Sequence, residues 1–218
     1  MIRAIFLDLD GTLVDCADLH YEALNRALEA SFFAPIEREE HLRIFNGLPT
    51  KAKLERLVKE GHIPKHAMAE IAILKQRFTA DMAPAHVVPD SIKVEMCAAL
   101  AGRYRLAVVS NCVRASVGML LMLAGLSEYF EFTVSNQDVE HAKPAPDPYL
   151  LAFRMMAGHI DSQRPLHKNE TLVIEDNEKG VWSAQATGLE VVQLQYPYIT
   201  LEVMRAVIAA AERKMAQG

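Results

Sequence analysis

Two aspartates stand two residues apart in Asp8-Leu9-Asp10-Gly11-Thr12-Leu13, just after a short apolar run and before a glycine that lets the chain turn sharply. A carboxylate is a competent nucleophile toward phosphorus, and the acyl phosphate it forms splits one displacement into two. A second carboxylate near the leaving oxygen can protonate it, then take a proton from the water that cleaves the intermediate. Asp8 suits the first role and Asp10 the second. Two more acids, Glu175 and Asp176, follow another apolar run. Gathered at one edge, the four would repel each other and some would protonate unless a cation sat among them. Oxygen-only ligands and a phosphate-bearing substrate favour Mg²⁺. Zinc is disfavoured, because no His or Cys cluster accompanies the acids. A transferring phosphoryl group also needs donors and positive charge around its oxygens. Ser110 and Asn111 offer donors. Lys143 offers the charge, and Pro144, Pro146 and Pro148 stiffen the backbone around it.

The elements that must carry these residues follow from the apolar pattern. Five short segments read as strands buried on both faces: Ala4 to Leu7, Leu106 to Val109, Phe132 to Val134, Leu172 to Ile174 and Val191 to Leu194. Stretches with helical spacing alternate with them, which predicts an α/β fold with a doubly wound parallel sheet. Four strands end in polar residues: Asp8 and Asp10, Ser110 and Asn111, Ser135 and Asn136, Glu175 and Asp176. Ligands bind at the carboxyl ends of such strands. Between Asp18 and about His86 the alternation stops, and helices are expected at Leu19 to Glu29, Glu37 to Phe45, Lys51 to Lys59 and Lys65 to Thr79. That is too long for one crossover. It reads as an inserted all-helical cap over residues 16–88, hinged near Cys16 and near Val88 to Pro89. The catalytic core then comprises residues 1–15 and 89–218.

Composition removes several other classes of function. A 218-residue chain that is 51% hydrophobic and 23% charged can bury a substantial core. A net charge of -5 disfavours nucleic acid and anionic membranes as partners. Three scattered cysteines, Cys16, Cys97 and Cys112, suit small buried thiols in a reducing compartment. The longest later apolar patch, around Met119 to Leu123, is far below the about 20 residues a membrane span needs. A cytoplasmic protein acting on a small phosphorylated metabolite is expected, as a monomer or weak homodimer.

Taken as an ordered set, DLDGTLVD at Asp8 to Asp15, VVSN at Val108 to Asn111, KPAPDPY at Lys143 to Tyr149 and VIEDNEKG at Val173 to Gly180 resemble the four motifs of the haloacid dehalogenase superfamily. The resemblance spans essentially the whole chain. It includes a helical cap after the first motif, as in the phosphoglycolate phosphatase and beta-phosphoglucomutase branch. It implies Asp8 as nucleophile, Asp10 as acid and base, Ser110 and Lys143 as phosphate holders, and Asp176 with Glu175 as metal ligands, to which the charge argument adds Asp8 and Asp10. Thr12, His20, Lys51 and Asn111 are assigned to substrate contact. An Asp at the place of Asp10 points to phosphoester chemistry rather than dehalogenation.

Phosphatase and mutase are harder to separate. His20 lies where beta-phosphoglucomutase has a histidine, but Thr50, beside Lys51, stands where the mutase-like cap carries an arginine. A phosphoaccepting signalling domain is a third reading, which Asp10 and the cap oppose. Some residues read more plainly. His20 serves equally as a substrate-side donor or a polar residue in the first turn of a surface helix. Lys51, Lys53 and Arg56 could form a cationic cap face for an anionic substrate tail, but beside Leu54, Leu57 and Val58 they better fit the solvated face of an amphipathic helix. His62, His66, His159 and His167 receive no role, and Trp182 reads as packing.

Overall fold

The computed structural model describes residues 1–160 and 164–217. Strands β1 (Ala4–Leu7), β2 (Arg105–Val109), β3 (Phe132–Val134), β4 (Thr171–Glu175) and β5 (Glu190–Gln193) form one parallel sheet in the order β3-β2-β1-β4-β5. Ile5 pairs with Leu106 on one side and Leu172 on the other. The chain winds outward from β1 through β2 to β3, then returns to β1's other side for β4. The strand order therefore reverses between β1 and β4, where an open sheet of this kind splays to admit a ligand.

Alternate residues of each strand supply opposite faces. Ile5, Leu7, Leu106, Val108, Leu172 and Ile174 build one buried layer, with helices α5 (Ser91–Ala101), α6 (Arg114–Leu123) and α9 (Leu201–Gln217). Ala4, Phe6, Ala107, Val109 and Val173 build the other, with α7 (Asp147–His159) and α8 (Glu178–Thr187). The doubly wound α/β architecture is thus as expected. Its edges are wetter than the apolar runs imply: β5 is only half-buried along most of its length, and Leu194 falls outside it.

Residues 17–86 are helical: α1 (Ala17–Ala30), α2 (Arg38–Glu40) passing into a wider turn at His41–Phe45, α3 (Thr50–Lys59), a short turn at Lys65–Ala67, and α4 (Met68–His86). The turn is of π type, since Asn46 N donates to His41 O five residues back. These helices share a buried cluster of their own, including Leu24, Leu28, Phe45, Leu54, Leu57 and Ile71. The expected helix end at Thr79 is too early. Met82 and Ala83 prolong the buried stripe Ile71, Lys75, Thr79, and α4 continues to His86 through Pro84. Packing against α1 outweighs the unfavourable proline. Among the described residues, no helix is long and apolar enough to cross a membrane.

Candidate active site

Asp8 leaves β1 and Glu175 closes β4, so neighbouring strands deliver both carboxylates to the sheet's carboxyl edge. Lys143 arrives from the loop before α7. Its Nζ donates to Asp8 Oδ1 at 2.6 Å, Glu175 Oε1 at 2.5 Å and the Val109 carbonyl at 2.6 Å. The ammonium hydrogens are thereby all engaged. Tyr149 donates its hydroxyl to the same Glu175 Oε1 at 2.6 Å, and its ring centroid lies 4.9 Å from the Lys143 amine. Burial opposes the lysine's charge, but Asp8 and Glu175 outweigh it and push the amine up to about 12. For the acids burial prevails. It raises Asp8 against the pull of Lys143, raises Glu175 to about 8, and with the charge of Asp8 raises Asp176 to about 7.

Asp8, Glu175 and Asp176 each bring an oxygen within 4.8 Å of the others'. Lys143 can neutralise one of the three. Glu175 Oε2 is buried without a hydrogen-bond partner among the described residues. The backbone is shaped to admit these acids: a Cβ on Gly11, at φ +83°, would fall 2.2 Å from Asp176 Oδ2, and one on Gly180 would fall 1.9 Å from Glu175 Cδ. A hard divalent cation fits this oxygen donor set, its excess charge and the orphaned oxygen.

The same raised acids predict how stability depends on pH. A carboxyl whose folded pKa exceeds its unfolded value binds more protons when folded, so the site loses stability as pH rises from about 4 through the raised values of about 7 for Asp176 and about 8 for Glu175. Mg²⁺ should therefore raise Tm clearly at pH 8 and little at pH 5, as differential scanning fluorimetry would read. Equal shifts at the two pH values would contradict the charge assignment.

Asp10 takes a different direction. Its Oδ2 lies 2.7 Å from His20 Nε2 and 3.3 Å from Cys112 Sγ, while its Oδ1 is buried and unpartnered among the described residues. Its carboxylate is not among the three that converge, which separates it from the expected four-acid set. Burial disfavours ionised Asp10. The charge and hydrogen bond of His20, with the thiol of Cys112, outweigh this and hold it well below the usual carboxylate range. Lys75 Nζ lies 3.2 Å from His20 Nδ1. With that nitrogen accepting from the amine, the ring hydrogen sits on Nε2 and points at Asp10. His20 is buried, so the surface-helix reading fails.

The remaining expected residues divide. Ser110 is buried and its Oγ accepts from Cys112 N at 3.0 Å. Asn111 is a bracket rather than a free donor. Its Oδ1 accepts from Lys143 N, and its Nδ2 donates to Lys143 O and to Gly47 O at 2.9 Å. Lys179 Nζ similarly donates to Asn46 O. Thr12 is buried, its hydroxyl has no partner among the described residues, and it does not line the cavity above Asp8. Lys51 is a correction: its side chain is 83% exposed, 3.9 Å from Glu55, and it is absent from that cavity. Trp182 is 54% exposed, so packing does not account for it.

The solvated-face reading of Lys53 is a correction, since it is buried and lines the cavity; Lys75 and Gln76 of α4, and Cys112 beyond β2, are lining residues that sequence reasoning passes over. A signal is present. Lys53 shares the buried stripe of Leu54 and Leu57, and Lys75 sits four residues from both Ile71 and Thr79. A lysine on the apolar face of its helix is not on the solvated face.

A parallel sheet with a carboxylate pair at its reversal point, a buried lysine between them and helices inserted after the first strand defines a class of hydrolase. The model of the haloacid dehalogenase-like hydrolases matches residues 5–194, and the chain belongs to that family. Its relatives are phosphatases, and it is an enzyme of the phosphoric monoester hydrolase kind. It is 28% identical over 197 residues to a plasmid-encoded phosphoglycolate phosphatase of Cupriavidus necator, covering 89% of this chain and 81% of that one. It is 26% identical over 193 residues to the fructose-1-phosphate phosphatase YqaB of Escherichia coli, covering 88% and 95%. In fold it resembles CbbY from Rhodobacter sphaeroides in complex with phosphate, with a TM-score of 0.74 and 24% identity over 92% of this chain and 91% of that one. It also resembles a beta-phosphoglucomutase from Clostridium difficile, with a TM-score of 0.80 and 15% identity over 99% and 100%.

Proposed function

We propose that the enzyme is a Mg²⁺-dependent phosphatase that hydrolyses a small phosphorylated metabolite through an aspartyl-phosphate on Asp8. The observation that carries this reading is the Lys143 amine lodged between Asp8 and Glu175, at 2.6 and 2.5 Å, beside a third acid. Asp8, Glu175 and Asp176 would hold the ion, which when bound supplies positive charge to the phosphoryl oxygens. A carboxylate oxygen of Asp8 bonds to phosphorus as the substrate's ester oxygen departs. Protonated Asp10 gives that oxygen its proton, and the hydrogen on His20 Nε2 stays in place to hydrogen-bond the carboxylate that forms. Asp10 then takes a proton from water as the water's oxygen bonds to phosphorus, and the bond to Asp8 breaks to release inorganic phosphate. Ser110 steadies the phosphoryl oxygens through its hydroxyl, and Lys143 does so through its charge. Residues 16–88 act as a cap that selects the leaving group.

A sugar phosphomutase is the second reading, favoured by His20 standing against Asp10. One experiment addresses both. Purified protein is incubated with phosphorylated short acids, sugars and nucleotides, with and without Mg²⁺, while free phosphate and sugar isomers are measured. Mg²⁺-dependent phosphate release without isomer is expected. An isomerised hexose phosphate without free phosphate would replace the phosphatase with the mutase, and no reaction in any arm would defeat both.

A further inference from the structure

Two lysines of the cap helices, Lys53 on α3 and Lys75 on α4, are each only 4% exposed and line the cavity that contains Asp8. A buried ammonium is normally matched by a carboxylate, because its desolvation is otherwise uncompensated. Neither amine has such a partner among the described residues. Lys53 Nζ lies 3.4 Å from His41 Nε2 and Lys75 Nζ lies 3.2 Å from His20 Nδ1, so both rest on imidazole nitrogens. Asp10 is the acid they feel, but its Oδ2 is already engaged by His20.

His41 makes the arrangement specific to Lys53. It is fully buried between Tyr21 and Phe45, on the π-type turn that swings its ring toward α3. Burial, with the charge of Lys53 next, lowers its pKa to about 3, so it is a neutral acceptor that holds the amine without cancelling its charge. Burial and the charge of Lys75 bring Lys53 down to about 7. An anion arriving beside it would restore the proton. Lys143 has its hydrogens committed to Asp8, Glu175 and the Val109 carbonyl, so these cap amines are a second cationic pole in the same cavity.

We propose that Lys53, held by His41 and reinforced by Lys75, binds a second anionic group, a carboxylate or a phosphate, on the part of the substrate remote from the reacting phosphoryl group. This rests on the phosphatase reading for the first group and adds the substrate class: a small phosphomonoester with another oxyanion.

Binding of nonhydrolysable probes separates the two ideas. With Mg²⁺ present, calorimetry should show phosphonoacetate binding the wild-type enzyme at least tenfold more tightly than methylphosphonate. In Lys53→Met that ratio should fall below threefold. In turnover, the ratio of kcat/KM for 2-phosphoglycolate, and for fructose 1,6-bisphosphate, over that for glycerol 3-phosphate should fall by tenfold or more in the variant; whichever falls shows whether carboxylate or phosphate is held. Removing an uncompensated buried charge should also raise Tm. A wild type that binds both probes alike, or a preference retained in Lys53→Met, overturns the proposal. A lower Tm in both Lys53→Met and Lys53→Gln assigns the lysine to structure and overturns it too. Selective probe binding without hydrolysis of any substrate would defeat the phosphatase reading and leave this one standing.

Discussion

Replacing Asp8 with asparagine is expected to lower Mg²⁺-dependent phosphate release by about 10⁴-fold or more, the scale seen when a covalent nucleophile is removed. The amide occupies nearly the same space but offers no anionic oxygen to phosphorus. The fold should survive. Lys143 keeps Glu175 and the Val109 carbonyl as acceptors, and one of three mutually repelling acids has gone. Wild-type and variant proteins should therefore melt within a few degrees of each other, while a burst of acid-labile protein-bound phosphate, captured by rapid quench, appears only in the wild type. An Asp8→Asn enzyme that still turns over in a Mg²⁺-dependent way would exclude the covalent route.

Lys143→Met is expected to damage both stability and rate. Breaking a buried ion pair by removing one partner costs about 3–5 kcal/mol, because the other charge stays behind. Here two buried carboxylates lose it, and Glu175 keeps only the Tyr149 hydroxyl. Loss of the charge facing the phosphoryl oxygens should cost a further factor of about 10²–10³ in kcat. Denaturant melts read the first effect and steady-state kinetics the second. Saturating Mg²⁺ should recover part of the stability and little of the rate. A variant as stable as wild type would mean that Lys143 is not what holds the acids together.

Much of this architecture is legible in the sequence, for local reasons. β1 and β3 can be read to the residue, because a short apolar run bounded by polar residues has few other ways to be buried. Asp8, Lys143, Glu175 and Asp176 can be placed together because each follows a strand or a stiffened loop at one sheet edge. The helices between β1 and β2 resist because their chemistry depends on which face of a helix meets the sheet edge. Lys51 and Lys53 are two residues apart, yet about 200° of helical turn sends one to solvent and the other into the cavity. His41 is out of reach, since only the π-type turn aims it at Lys53. Proximity in sequence to Asp8 suggests the metal for Asp10. An alternating strand exit instead turns its side chain toward His20 and Cys112.

The two bonds that fasten the loop before α3, from Asn111 just beyond β2 to Gly47 O and from Lys179 of α8 to Asn46 O, both terminate on main-chain oxygens. Any amino acid supplies such an oxygen. Apart from Gly47, held by its positive φ and by Asn177 packed against it, the loop can therefore exchange side chains without loosening its own clasp. Leu48 and Thr50 also line the cavity, so an engineer seeking altered substrate choice can diversify those two positions and leave both of these bonds intact.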